Sequence, residues 1–541
     1  MSRRERLVYR LLMLMGAASL IAFYGWWFQP QHLPTNLQGA WHGVDLMIYA
    51  TLTFVLSHRI FMDVYMWVVA RKIAPIAPAP EPEEGLKVAF ITTFVPGAEG
   101  IDLLRRTLPA MLAADYPHDV WLLDEGADPD ARALAESLGV HYFTRHGRRE
   151  YNLVAGPFTA RTKGGNHNSW YDAHGHVYDV VAQIDTDFIP HHTFLTATLG
   201  YFQNPRTGWV VTPQIYGNTA SSFVTRGAAE QQYTFYGAVL RGLSGRRLAN
   251  MLGANHVVRV AALDSIGLYA GHLTEDLLTG MRLHSRGWES AYVPLALAVG
   301  EGPDTWKSYF TQQTRWSYGC MHILKTHTRA LLKTMRWPHK LLYLSLLQGY
   351  FSGLAGALGT ALLTLYFLAG VEISKLTIVG LLIWATPLFV ARQLIQLWLQ
   401  RFTVRPDVER GLRSAGGLIG IAVWPIYFVA LVKVLRQQSL GFKVTPKGSA
   451  SRRPVGVRQQ FRPHLVVAAL SAVCLGSAAV TGRDSAVLVF WVCLNLVTMG
   501  GFWLLAGRLP RVARRRTAPA RTDDGQARPV VELAAYGAAA S

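Results

Sequence analysis

Charge is scarce in this sequence. Only 16% of its 541 residues are Asp, Glu, Lys or Arg, whereas 50% are hydrophobic. A chain so apolar is no ordinary soluble protein, and it is too long for one domain. Cysteine is scarcer still. Cys320, Cys474 and Cys493 are the whole complement, without metal-ligand spacing, and two of them sit in apolar runs. A zinc cage and a disulfide framework are therefore not expected. Zinc-finger and similar motifs are missing too, so the net charge of +19 does not point to nucleic acid. The Lys and Arg cluster beside apolar runs, the pattern that anchors a chain against an anionic leaflet.

Those apolar runs supply the frame. Residues 1–72 are expected to hold two membrane-spanning helices. The first, Leu11 to Phe28, follows Arg3, Arg4, Arg6 and Arg10 and ends in Tyr24, Trp26 and Trp27. With no small-residue cleavage site, it reads as an uncleaved span rather than a signal peptide. The second, about Leu46 to Ala70, contains Arg59 and Asp63 at i,i+4. That pair is either a structural ion pair near the interface or part of a polar path. Residues 73–85, with Pro75, Pro78, Pro80 and Pro82, read as a linker.

The apolar pattern returns after a long interruption. Residues 336–414 are expected to form an interface helix and two spans, because Leu341 to Val371 is too long for one simple crossing. Leu376 to Leu399 is the second of these spans. Residues 415–462 hold Leu418 to Val432, apolar enough to cross yet flanked by Arg and Lys on both sides. Two cytoplasmic flanks put this helix along the interface. Residues 463–507 supply the last two spans, Leu465 to Thr481 and Ser485 to Ala506. Six spans then leave both termini and the 86–335 insert cytoplasmic, in a multi-pass protein of the cytoplasmic (inner) membrane. The basic tail, 508–541, reads as disordered.

The insert is water-soluble in pattern. Val88 to Thr93, Val120 to Leu123 and Val180 to Ile184 read as short buried strands, with helices over Leu103 to Ala113 and Ala131 to Leu138. Such alternation predicts a largely parallel α/β sheet, whose ligands gather at the carboxyl ends of the strands. Acids stand there: Asp124 after one strand, Asp185 and Asp187 after another. Two carboxylates at i,i+2 suit Mg²⁺ or Mn²⁺ shared with a substrate phosphate, or merely a polar strand cap. Lys163-Gly164-Gly165-Asn166 reads as a loop able to bring amides and a cation to a nucleotide, or as an ordinary turn. Thr274-Glu275-Asp276 opens a helix over Glu275 to His284, where a carboxylate is a base or a simple cap. Gln312, Arg315 and Trp316 share a helix face. Arg315 suits a diphosphate and Trp316 a sugar ring, although an interfacial Trp alone is unremarkable.

In this order, these motifs resemble the processive family 2 glycosyltransferases of the cellulose synthase type, over residue 85 to the last span. The string from Thr274 to Trp288 resembles the bacterial catalytic subunit. Phe442-Lys-Val-Thr-Pro-Lys-Gly448 matches that family's gating loop, F-x-V-T-x-K-G. The resemblance implies a GT-A glycosyltransferase domain inserted in an α-helical transmembrane bundle. It implies polymerisation of a UDP-sugar, UDP-glucose above all, into a β-linked glycan with inversion, and translocation of the chain. It assigns Thr93, Glu99, Asp124, Lys163, Asp185, Gln312 and Arg315 to the nucleotide sugar, and Asp185 and Asp187 to Mg²⁺ or Mn²⁺. Asp276, beside Glu275, would be the catalytic base. Trp316 and Asn255 would face the acceptor, and Phe442, Val444, Thr445 and Lys447 would close over UDP. The growing polysaccharide, the bilayer and accessory secretion proteins are the partners it allows.

Two segments depart from the pattern. Thr93 to Glu99 is longer than the family's T-Y-N-E loop, and Gly253-Ala-Asn-His256 replaces its C-G-S segment. Too few residues follow the last span for the family's cyclic-dinucleotide-binding domain, so that regulation is not expected. The competing readings are a non-processive transferase to a lipid carrier and a transporter with a degenerate nucleotide-sensing insert.

Overall fold

The computed structural model describes residues 1–37, 39–73, 78–440 and 457–505. The gating-loop residues Phe442, Val444, Thr445 and Lys447 lie outside them.

Ten strands form two sheets in the insert. They are β1 (Val88–Phe94), β2 (Asp119–Asp124), β3 (His141–Thr144), β4 (Val180–Asp185), β5 (Ile189–Pro190), β6 (Thr207–Val211), β7 (Ile215–Tyr216), β8 (His256–Arg259), β9 (Glu289–Tyr292) and β10 (Ala298–Gly300). The main sheet runs β3-β2-β1-β4-β8-β6-β9, and a small one runs β5-β10-β7. In the main sheet β8 alone is reversed, antiparallel to β4 and β6, while the other ladders are parallel. The three strands expected from apolar runs are β1, β2 and β4. All seven side chains of β1 are buried, which is why it reads as a continuous apolar run and not as an alternation. Register aligns their carboxyl ends: Phe94 pairs with Asp124, and Thr93 with Asp185. Thr93, Asp124 and Asp185 therefore share one sheet edge.

Seven helices among the described residues are long and apolar enough to cross a membrane: Arg3–Trp27, His42–Ala70, Trp337–Ala369, Ile378–Phe402, Ser414–Leu435, Arg462–Thr481 and Ala486–Leu505. The expected six spans and the one flat helix all appear as helices. Large apolar side chains such as Leu14, Ile21, Leu382, Val466 and Val497 face outward from them, as contact with lipid requires. Small residues let the helices approach. A Cβ on Gly353 or Gly356 would lie 2.5 Å or 2.4 Å from atoms of Phe428 and Trp424, the close packing that drives association in lipid.

The Ser414–Leu435 helix contacts both parts of the molecule. Gly416 N donates to Glu230 Oε2 at 2.8 Å, and the Tyr427 hydroxyl donates to Gln313 Oε1 at 2.5 Å. Its other side takes the Ser352–Thr364 helix. Inside the bundle, Asp63 is buried, and its Oδ2 accepts from Arg392 Nε at 2.6 Å. Arg59 stands 4.0 Å from Oδ1 with its side chain 67% exposed. The expected Arg59–Asp63 pair is thus secondary to a tie between two helices far apart in sequence.

Candidate active site

Lys163-Gly-Gly-Asn166 is not a free loop but the first turn of the Lys163–His174 helix. Thr162 caps it by accepting from Gly165 N at 3.0 Å. Gly165 is required there, because a Cβ would lie 2.1 Å from Thr159 O. Arg145 holds the preceding segment. This fully buried guanidinium donates to Tyr151 O, Thr159 O and Thr162 O at 3.0–3.1 Å, and to both oxygens of Glu125 at 2.7 Å and 2.8 Å. Lys163 is thereby presented toward β4, where its ammonium bonds Asp185 Oδ1 and Gly253 O.

One cavity of about 810 Å³ gathers most of the expected residues. Thr93, Glu99, Lys163, Asp185, Asp187, Glu275, Asp276, Gln312, Arg315 and Trp316 all line it. Glu99 is fixed on its loop by accepting from Val95 N and the Thr186 hydroxyl, each at 2.8 Å. Two expected residues are placed elsewhere. Asp124 is fully buried, and its carboxylate closes the turn after β2, accepting from Gly126 N, Asp128 N and the Tyr142 hydroxyl at 2.6–2.9 Å. Burial, the largest influence, holds its pKa above the usual carboxylate range despite those bonds. Its neighbour Glu125 lines the cavity instead. Asn255 is also fully buried, with a left-handed φ of 56° and its amide donating to Pro213 O at 3.2 Å. From this segment it is Gly253 that reaches the cavity.

Glu275 and Asp276 open the Glu275–Ser285 helix. Both are held above the usual carboxylate range, chiefly by burial. The Asp276 charge raises Glu275 further, while Lys163 and Arg315 pull both down. A carboxylate so placed is a stronger base than one in water yet is kept ionisable by two cations. Sequence reasoning missed the neutral wall beside it. Gln232 Nε2 donates to the Tyr216 hydroxyl at 3.1 Å, and Gln312 Nε2 approaches the same oxygen at 3.5 Å. The same cavity is also lined by Met62, Leu346, Gly349, Tyr350 and Tyr427, all from the apolar helices.

The family model described as "Glycosyl transferase family group 2" matches residues 180–392. The chain is 26% identical over 436 residues to a cellulose synthase catalytic subunit [UDP-forming] of Pseudomonas fluorescens (strain SBW25), covering 77% of this chain and 56% of that protein. Over these residues the chain is similar to the cellulose synthase-like family 2 glycosyltransferases. Cellulose synthase 1 of Komagataeibacter xylinus is also 26% identical, over 305 residues, 54% of this chain and 18% of that protein. The chain thus spans little more than half, or less, of the length of these relatives. A solved mannosyltransferase from Pyrobaculum calidifontis, in complex with GDP-Man and Mn²⁺, overlaps 72% of this chain and all of its own at 14% identity and a TM-score of 0.47. The mostly parallel sheet of the insert and the seven apolar helices fit a GT-A domain joined to a helical membrane part.

Proposed function

We propose that this glycosyltransferase is a processive, inverting polymerase that joins the sugar of UDP-glucose into a β-linked glycan and passes the chain into the membrane. The observation that carries this is that one cavity is lined both by the acids and Lys163 of the domain, with Asp276 and Trp316, and by Met62 and Tyr350 of the apolar helices. A relative named as UDP-forming supports the donor. Two carboxylates, Asp185 and Asp187, stand at the end of β4 for a divalent cation. Among the described residues no group of three or more His, Cys, Asp or Glu forms a closed metal cage. Two protein carboxylates with a diphosphate and waters suit Mg²⁺ or Mn²⁺ in such an open site. When bound, the ion would neutralise charge on the diphosphate.

The chain's own residues do the rest. Glu99 and Lys163 hold the nucleotide and diphosphate. Trp316 stacks on the acceptor ring, with the Gln232–Tyr216–Gln312 wall offering neutral hydrogen bonds. The Asp276 carboxylate takes the acceptor hydroxyl proton as that oxygen attacks the anomeric carbon, opposite the departing UDP. Arg315 faces the diphosphate and offsets the charge that develops there. One in-line displacement inverts an α-linked donor to a β-linked product. The Ser414–Leu435 helix, seated between domain and bundle and flanked by basic segments, fits an interfacial position with the catalytic domain and both termini cytoplasmic.

The test is UDP release by the purified protein across a set of UDP-sugars. UDP-glucose is expected to be turned over fastest. Failure of every UDP-sugar to yield UDP or polymer would sink the proposal.

A further inference from the structure

Gln312, Arg315, Trp316, Gly319 and His322 form one stripe along the Trp306–Thr326 helix: Gln312, Arg315, Gly319 and His322 are spaced three, four and three apart, and Trp316 lies four after Gln312 and three before Gly319. The first three line the cavity. The last two hold the segment that carries Asp276. A Cβ on Gly319 would lie 2.5 Å from Thr274 Cγ2, so glycine alone lets Thr274 seat there. One turn further on, His322 Nδ1 lies 3.0 Å from His272 Nε2. His272 Nδ1 in turn accepts from Thr274 N at 3.2 Å and lies 3.1 Å from the Thr274 hydroxyl.

These contacts fix the tautomers. Thr274 N–H donates only to an unprotonated Nδ1, so neutral His272 carries its proton on Nε2 and donates it to His322 Nδ1. Thr274 is the N-cap of the Glu275–Ser285 helix but makes no side-chain cap bond. His272 closes that turn instead, two residues back, as Asn or Asp does in an Asx turn. Burial, then the neighbouring His322 and His327, push its pKa down to about 3, so the ring stays an acceptor at neutral pH.

We infer that His272, held by His322 above Gly319, is a positioning residue that sets where Asp276 stands relative to Arg315 and Trp316. Neither histidine lines the cavity, so the effect is exerted through the Thr274 turn. The inference rests on the polymerase reading above. It matters because a displacement of about 1 Å between reacting groups costs on the order of 100-fold in rate.

The experiment uses the purified full chain with UDP-glucose, reading UDP release, UDP affinity and thermal stability. His272→Ala is expected to lower kcat roughly tenfold or more, with UDP affinity kept. His272→Asn is expected to recover most of that loss, because its Oδ1 accepts from Thr274 N. If His272→Ala does not fold, His322→Ala carries the test, with a lowered kcat and unchanged UDP affinity expected. Full kcat in His272→Ala or His322→Ala overturns the inference, as does an Asn variant no better than Ala at equal stability. If the wild-type chain turns over no UDP-sugar, the polymerase reading fails and takes this inference with it. Wild-type turnover with an undiminished variant overturns the inference alone.

Discussion

The cavity is lined by two sets of residues: Glu99, Lys163, Asp185, Asp187, Glu275, Asp276 and Arg315 from the α/β domain and the helix that follows it, and Met62, Leu346, Gly349, Tyr350 and Tyr427 from the apolar helices. The first set is charged and held by strand ends, helices and the buried Arg145 brace. The second is neutral and comes from apolar helices. Charge preorganised where a diphosphate would leave stabilises the transition state. Neutral, aromatic lining binds a glycan weakly enough for it to advance, since a tightly paired charge would hold it. In the proposed function Trp316, on the acceptor ring, marks the boundary between the two.

The largest break in that contrast is expected at Asp276. Asp276→Asn should lower kcat by roughly 10²–10⁴-fold, the worth of a positioned base, while UDP affinity stays near wild type. Steady-state UDP release with a parallel binding titration checks both. Removal of divalent ions by a chelator should abolish turnover, with recovery on Mg²⁺ or Mn²⁺. Asp187→Ala should resist that recovery, as a metal titration of activity would show.

Trp316→Ala sharpens the boundary rather than erasing the chemistry. It should shorten the product and lower kcat about tenfold while leaving KM for the donor nearly unchanged, read by gel and kinetics. A pH profile probes the same boundary from the charged side. As the proposed base Asp276 would work ionised; burial raises its pKa while Lys163 and Arg315 lower it. Activity therefore falls as pH drops through that raised value. Lys163→Met removes one stabilising cation, so the acid limb of kcat/KM should move to higher pH. The smallest effect on chemistry belongs to the bundle. Asp63→Ala should leave the donor KM alone but cost about 1–3 kcal/mol of stability, by stranding Arg392, as a melting curve would report.

How much of this was legible depended on where the signal lay. β1, β2 and β4 were readable because strands buried on both faces become continuous apolar runs. The reversed β8 was not, since direction leaves no mark on four residues. Asp185 and Asp276 reach the cavity because their motifs sit at element ends, and Arg315 and Trp316 because they share a helix face with Gln312. Asp124 looked equivalent, but register alone does not say which acid turns inward, and Asp124 closes its own loop while Glu125 lines the cavity. Asn255 was placed by analogy with a segment that departs from the family. Arg392 was missed as the partner of Asp63 because Arg59 offered a local i,i+4 alternative. Tyr216 and Gln232 carry no motif, and a two-residue strand is below any pattern.

The most direct test of the central claim is the length of the product. Purified protein, at low enzyme and excess radiolabelled UDP-glucose, should yield long chains early, with few short intermediates. A product of one added sugar on a lipid carrier, or no sugar transfer at all, would contradict a cavity built to make a chain and hand it to the membrane.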